Sequence, residues 1–381
     1  MTPDREAEMS GPTPNRPTAR PPHGLVGMLA LVAAVELAVA GHRLDFTTVW
    51  ADDWRRTAEA ATRHARGRDV LCFGDSLVKF GVLPRVIEAR AGLKAYNLAT
   101  NAGTMPSAYF LLRKTLGSGA RPRVIVADFC ALMLPDVPRV SVRMYPELAT
   151  GRDCLDLAWA SRDAGFLAAT LLGKVLPSYK CRYEVRASLM AAFEGRRASP
   201  WPAQAAIWAT WKAQDGAQPM PPPPSKAPAD PGLIAGLTPA SWDCDPLNAD
   251  YLERFLDLAD AHAVPVVWLM PPLGPEIQAG RALQGTDAAY ARFARRAMAR
   301  HPTLTVLDAR TSGYDGTVHI DPIHLDNRGA AVLSGDVASA LLDRFEGRSA
   351  GRWVDLPPYA GRTGPAPPRA VARSGVEPGR R

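Results

Sequence analysis

A serine hydroxyl becomes a nucleophile only when a neighbouring base removes its proton, most often an imidazole oriented by a carboxylate. Two short stretches of this 381-residue chain hold those groups. The first is Val70-Leu71-Cys72-Phe73-Gly74-Asp75-Ser76-Leu77, an apolar run that stops abruptly at Gly-Asp-Ser. A serine at a strand-to-helix turn can attack, because the helix start offers backbone N–H groups to a developing oxyanion. The bland use of the same residue is a helix N-cap. The second stretch is Asp321-Pro322-Ile323-His324-Leu325-Asp326. Asp321 is close enough to His324, on a short turn, to orient its ring.

The remaining histidines are weaker candidates. His23 and His42 flank a long apolar run, and His64, His262 and His301 fall on helices or helix ends. His319 also lies beyond the last strand and is the reserve base, but it lacks a carboxylate at comparable spacing. An Asp-x-x-His alone is common by chance.

Around both stretches, strand and helix signals alternate. Residues 69–73 read as a strand, 84–91 as a helix with Pro84 in its first turn, and 94–99 as a second strand. A helix follows at 107–116, with Tyr109, Leu112 and Leu116 near one face. Residues 123–129 are continuously apolar around Val-Ile-Val-Ala, the pattern of a strand buried on both faces. The alternation resumes with a helix at 251–262, a strand at 264–269 stopped by Pro271-Pro272, a helix at 287–300 and a strand at 304–307. The last helix, 327–345, carries Leu333, Val337, Leu341 and Phe345 on one stripe. Such alternation implies right-handed β-α-β units, a parallel sheet and an α/β fold. Residues 134–247 break the pattern. Helix-like stretches at 163–176 and 183–193 lead to Pro219-Met220-Pro221-Pro222-Pro223-Pro224, which no regular helix or central strand tolerates. This segment reads as a helical, Pro-rich insertion on the side of the sheet that carries Ser76. Its tryptophans, Trp201, Trp208, Trp211 and Trp242, are read as packing within it rather than stacking on sugars.

The ends differ in composition. Residues 1–23 are polar, Pro-rich and read as disordered, with Arg16 and Arg20 just before an apolar run at 24–41 broken only by Glu36. That run is about as long as a minimal membrane span. Two membrane uses stay open: an uncleaved anchor with its basic end inside, or a signal peptide cut after Ala38-Val39-Ala40. The alternative to both is a buried soluble helix. We read an anchor, which makes the protein single-pass with its folded part extracytoplasmic; the cleaved form would be secreted. Residues 50–67 read as an amphipathic helix forming a short stalk. The formal charge of +7 owes much to residues 347–381, where Arg348, Arg352, Arg362, Arg369, Arg373, Arg380 and Arg381 face only Asp355 and Glu377. A disordered basic tail and the lack of a basic helix or aromatic RNA-binding signature argue against a nucleic-acid partner. Five cysteines form no C-x-x-C pair, and no metal or cofactor motif is present. Of these, Cys154, Cys181 and Cys244 flank the insertion, where two could pair in an oxidising compartment.

Taken together, Phe73-Gly74-Asp75-Ser76-Leu77 and Asp321-Pro322-Ile323-His324-Leu325 resemble the two ends of the SGNH/GDSL hydrolase signature. The likeness covers residues 68–133 and 248–345, within domain halves at 50–133 and 248–346. It implies a flavodoxin-like three-layer α/β/α sandwich in which Ser76 attacks, His324 is the general base and Asp321 orients it. The family's second motif places an oxyanion-hole glycine after the second strand; the matching stretch here runs from Asn97 to Thr104, with Ala102 at the glycine position and Gly103 beside it. The third motif, Gly-x-Asn-Asp after the third strand, is missing, and Asp128-Phe129-Cys130 stands there instead. Losing one oxyanion donor typically costs about 2.7–4 kcal/mol; Asn101 is the residue expected to stand in, beside the Ser76 N–H. The plan is similar to that of membrane-anchored SGNH-like proteins that acylate cell-surface polymers. The resemblance therefore implies an extracytoplasmic esterase or O-acyltransferase working through an acyl-Ser76 intermediate on an acyl ester or acylated carbohydrate. The other reading is a catalytically inactive SGNH-like module that binds polysaccharide or partners in an envelope assembly.

Overall fold

The computed structural model describes residues 23–42, 46–136, 142–196, 201–226, 230–349 and 351–362. Six strands form one all-parallel sheet: β1 (Val70–Phe73), β2 (Ala95–Asn97), β3 (Val124–Ala127), β4 (Val266–Met270), β5 (Thr305–Asp308) and β6 (Trp353–Asp355). Their order is β2-β1-β3-β4-β5-β6. In register, Cys72 pairs with Asn97 on one side and Val126 on the other, and Val267 pairs with Val126 and Thr305. Strands β1, β3, β4 and β5 are buried along their whole length, which is why their sequences are continuously apolar.

The first helices are α1 (His23–Gly41), α2 (Val49–Arg63), α3 (Ser76–Gly81), α4 (Pro84–Ala91) and α5 (Met105–Gly117). The insertion contributes α6 (Tyr145–Leu148), α7 (Gly151–Ser161), α8 (Ala164–Val175), α9 (Pro177–Lys180), α10 (Arg182–Phe193), α11 (Trp201–Ala213) and α12 (Pro231–Leu237). The second half adds α13 (Pro246–Ala261), α14 (Pro275–Leu283), α15 (Thr286–Arg300) and α16 (Asn327–Phe345). Helices cover both faces of the sheet. Alternate strand residues Leu71, Phe73, Ile125 and Trp268 pack with Trp54 of α2, Leu112 of α5, Phe255 of α13 and Phe293 of α15. Val70, Cys72, Val126 and Leu269 pack on the opposite face with Val78, Ile87, Leu333 and Val337 of α3, α4 and α16.

Three expectations need correction. Residues 50–67 are not a stalk: Trp54, Thr57 and Ala61 are wholly buried, and α2 is part of the sheet's cover. Its polar face misled, because two of its carboxylates, Asp52 and Asp53, are buried rather than solvated. The tail is not disordered from residue 347, since β6 extends the sheet beside β5 and Leu356 and Tyr359 are buried against the second core. Residues 363–381 and 1–22 lie outside the described residues. The insertion also does more than sit on the Ser76 side. After α11 its chain crosses the β2 edge, where Asn97 N–H donates to Asp215 O at 2.8 Å, and Ala217 joins the second core. Only glycine fits at Gly216, because a Cβ there would stand 2.1 Å from Asn97 O. This backbone covers a strand edge that would otherwise be open. Trp208, Trp211 and Trp242 are buried, and all five cysteines are free thiols.

Candidate active site

The site begins where β1 stops. Gly74 takes φ +142°, and a Cβ there would lie 3.1 Å from both Asp128 O and Val78 Cγ2. Glycine therefore lets the chain turn tightly from strand to helix beside β3. Asp75 then caps α3, its Oδ1 accepting the Leu77 N–H at 2.8 Å. Asp75 thus performs the capping that Ser76 would do if it were a plain N-cap. Ser76 is the first residue of α3, and its N–H has no intrahelical acceptor, as at every helix start.

His324 comes from the turn before α16. Asp321 Oδ1 accepts the Ile323 and His324 N–H groups, both at 2.9 Å, which folds the tetrapeptide into an Asx-type turn. Its other oxygen lies 2.7 Å from His324 Nδ1, and His324 Nε2 lies 2.8 Å from Ser76 Oγ. With Nδ1–H donating to Asp321, Nε2 is the lone pair that accepts the serine proton. The Phe80 ring, 5.0 Å from the imidazole, packs against it. Gly274 donates to Pro322 O at 2.9 Å and holds the loop from outside. Burial pushes the Asp321 carboxyl up, but the His324 bond and charge and the two N–H donors outweigh it and hold it below the usual carboxylate range. Asp321 is nonetheless 41% exposed, so the site is open to solvent on that side. The reserve base His319 is buried with Nδ1 donating to Asp315 O at 2.9 Å, and burial lowers its pKa. No bond joins it to Ser76.

The residues expected around an oxyanion are tightly engaged. Asn101 is bonded to α2: its N–H and its amide Nδ2 both donate to Asp53 Oδ2, at 2.8 and 3.1 Å. The Gly103 N–H donates to Thr100 O at 3.1 Å. Ala102 adopts φ 52°, the left-handed conformation that glycine takes most easily. A Cβ on Gly103 would lie 2.6 Å from Gly74 O, so the loop and the turn that carries Ser76 are packed backbone to backbone.

At the end of β3, Asp128 is buried and neither of its oxygens has a hydrogen-bond partner. It lines a cavity of about 10 Å³ with Gly74, Asp75, Gly103 and Cys130. Burial and the charge of Asp75 push the Asp128 carboxyl well above its usual range. Burial raises Asp75 as well, opposed by the Cys130 and Leu77 bonds. Two carboxyls this close and dry do not both ionise, and Asp128, whose oxygens accept no hydrogen bond, is the one that stays neutral. Asp75, Asp128 and Cys130 are the one such group among the described residues compact enough to ligate a cation. A neutral Asp128 accounts for their proximity without one. Because native Asp128 stays neutral while the unfolded chain ionises above about pH 4, wild-type stability should fall as pH rises from there. Asp128→Asn removes that slope. Its denaturation midpoint, measured in urea from pH 4 upward, is expected to gain on the wild type with increasing pH; a gap independent of pH would contradict a neutral native Asp128.

A further pair escaped the sequence reading. Lys79 of α3 is fully buried, its Nζ 2.8 Å from Asp53 Oδ1 and 3.0 Å from Ala99 O. Burial lowers the Lys79 pKa, against the raising effect of Asp53. Asp53 therefore ties α2 to the helix that carries Ser76 and to the loop that carries Asn101. The only signal in the sequence is a lysine inside the apolar run Leu77-Val78-Lys79-Phe80.

No protein-family model matches the chain, and no curated protein matches it.

Proposed function

We propose that the chain is a membrane-anchored serine esterase or O-acyltransferase of SGNH/GDSL type, with its folded part outside the cytoplasm. The observation that carries this reading is the unbroken chain of bonds from Ser76 through His324 to Asp321, assembled from opposite ends of the sequence. Topology supports it. Strand order 2-1-3-4-5 is the flavodoxin-like doubly wound order, in which ligands meet the carboxyl ends of strands at the β1/β3 switch point. Ser76 follows β1 and Asp128 follows β3.

In the proposed reaction Ser76 Oγ attacks the carbonyl carbon of an ester while His324 Nε2 takes its proton. The imidazolium forms beside the Asp321 carboxylate. The Ser76 N–H, which has no intrahelical acceptor, is placed to donate to the resulting oxyanion. His324 then returns the proton to the departing alcohol, leaving acyl-Ser76. In the second half an incoming hydroxyl, from water or a sugar, gives its proton to His324 and takes the acyl group. An acylated carbohydrate is the proposed acyl donor or acceptor. Helix α1 supports the anchor: it is 19 residues long, apolar, and nearly all exposed.

The engagement of Asn101 and Gly103 with other partners favours a second reading, an SGNH-like binding module without turnover. Incubating the full-length chain with p-nitrophenyl acetate and an acceptor oligosaccharide separates them. Ser76-dependent release with acylated oligosaccharide in the mass spectrum supports the transferase. Release with free acetate alone supports the esterase, and no release from folded protein supports the module.

A further inference from the structure

We propose that the insertion touches the membrane: the α8–α9 corner, residues 172–183, sits in the outer face of the bilayer beside α1. This inference rests on the reading of α1 as a membrane span. The apolar run 24–41 is about 27 Å long as a helix, slightly less than a hydrocarbon core of about 30 Å. It has no length to spare, so Glu36, five residues before Gly41, lies roughly 7.5 Å inside the apolar layer. A carboxylate at that depth needs donors. Ser178 of α9 supplies two: its N–H donates to Glu36 Oε2 at 2.9 Å, and its hydroxyl donates to Oε1. Glu36 and Val39 are the residues of α1 that are not exposed, and they face α9. Bonding to a group at that depth draws the corner below the surface with it.

The exposed residues around Ser178 are those a bilayer would solvate, and the Lys180 ammonium nearby is paired with Glu147. Helix α8 is apolar apart from Thr170 and Lys174, whose ammonium donates to Ala149 O, yet it buries only Phe166, Thr170 and Gly173. That is too little for a core helix. Leu172 and Val175, which lead into the corner, are 43% and 73% exposed. On the far side Arg182 lies 4.7 Å from the ring centroids of both Tyr179 and Tyr183. Tyrosine with arginine at the rim of an apolar surface is the composition of a membrane–water interface. The insertion would then fix the height and tilt of the Ser76 domain above the lipid, restricting it to substrate near the membrane.

The test labels single introduced cysteines with an NBD dye in a full-length background whose five native free cysteines are replaced by alanine and whose melting curve shows it folded. The chain is reconstituted in phosphatidylcholine/phosphatidylglycerol vesicles, and quenching by doxyl-labelled lipid is compared with quenching by aqueous iodide. The sites are Leu31→Cys in α1, Val175→Cys at the corner and Leu283→Cys, an exposed leucine at the end of α14. Leu31→Cys and Val175→Cys are both expected to respond to doxyl lipid, with iodide quenching several-fold weaker than at Leu283→Cys. If the Leu31 label is open to iodide, the anchor reading itself fails. If Leu31 is in lipid but the Val175 label is quenched by iodide, the corner is in water and the inference falls. Shielding of the Val175 label from both quenchers would mean a protein covers the corner, and would overturn it equally.

Discussion

Replacing His324 with alanine is expected to lower ester turnover by about 10⁴- to 10⁶-fold, the range seen when a serine hydrolase loses its nucleophile or base. The side chain makes two bonds, to Ser76 Oγ and to Asp321, and both belong to the proposed reaction. It sits in a surface turn that Asp321 closes through backbone N–H groups, and those bonds survive truncation of the ring. The thermal midpoint should therefore stay near that of the wild type while kcat/KM collapses. Because the two groups act as one unit, Ser76→Ala/His324→Ala should be little worse than either single variant. Loss of only a few-fold in kcat/KM for a p-nitrophenyl ester would show that His324 is not the base.

Asp53→Ala is expected to destabilise the protein by about 3–5 kcal/mol, because it strands the Lys79 ammonium in a dry site. Lys79 keeps only Ala99 O and the face of Trp211, whose ring centroid is 5.1 Å away. Asn101 loses its acceptor for two donors at the same time. A second substitution gives the signature of the pair: Asp53→Ala/Lys79→Met, which removes both charges, should recover most of the loss. Urea unfolding of the three proteins checks this. Equal destabilisation in the single and double variants would assign the effect to packing instead.

Much of the α/β pattern was legible because buried parallel strands are continuous apolar runs. Residues 123–129 read as a strand for that reason, and β3 occupies Val124–Ala127. The last helix was read at the bounds it has, since its stripe is regular and Asp326 caps it by accepting from Arg328 and Gly329. The Ser76–His324–Asp321 contact was legible because Asp321 and His324 are neighbours on a turn, leaving one long-range pairing to infer. β6 was not, because an edge strand of two half-buried residues and one exposed aspartate, among arginines and prolines, has no apolar run to betray it. Asp53 and Lys79 were hidden for a different reason. A charged residue on an amphipathic helix looks the same in sequence whether water or a buried partner meets it. The Asp75–Asp128 pair is likewise a product of β1 and β3 lying side by side, which no local pattern records.

The Ser76 hydroxyl itself is the most direct object to measure. Full-length protein and its Ser76→Ala variant, both verified as folded by their melting curves, would be treated with a fluorophosphonate probe and digested for peptide mass spectrometry. A phosphonate adduct on Ser76 is expected in the wild type, with none in Ser76→Ala and a much slower one in His324→Ala. A folded wild type that takes no adduct at Ser76, or one that labels equally well in the His324→Ala variant, would contradict an activated serine.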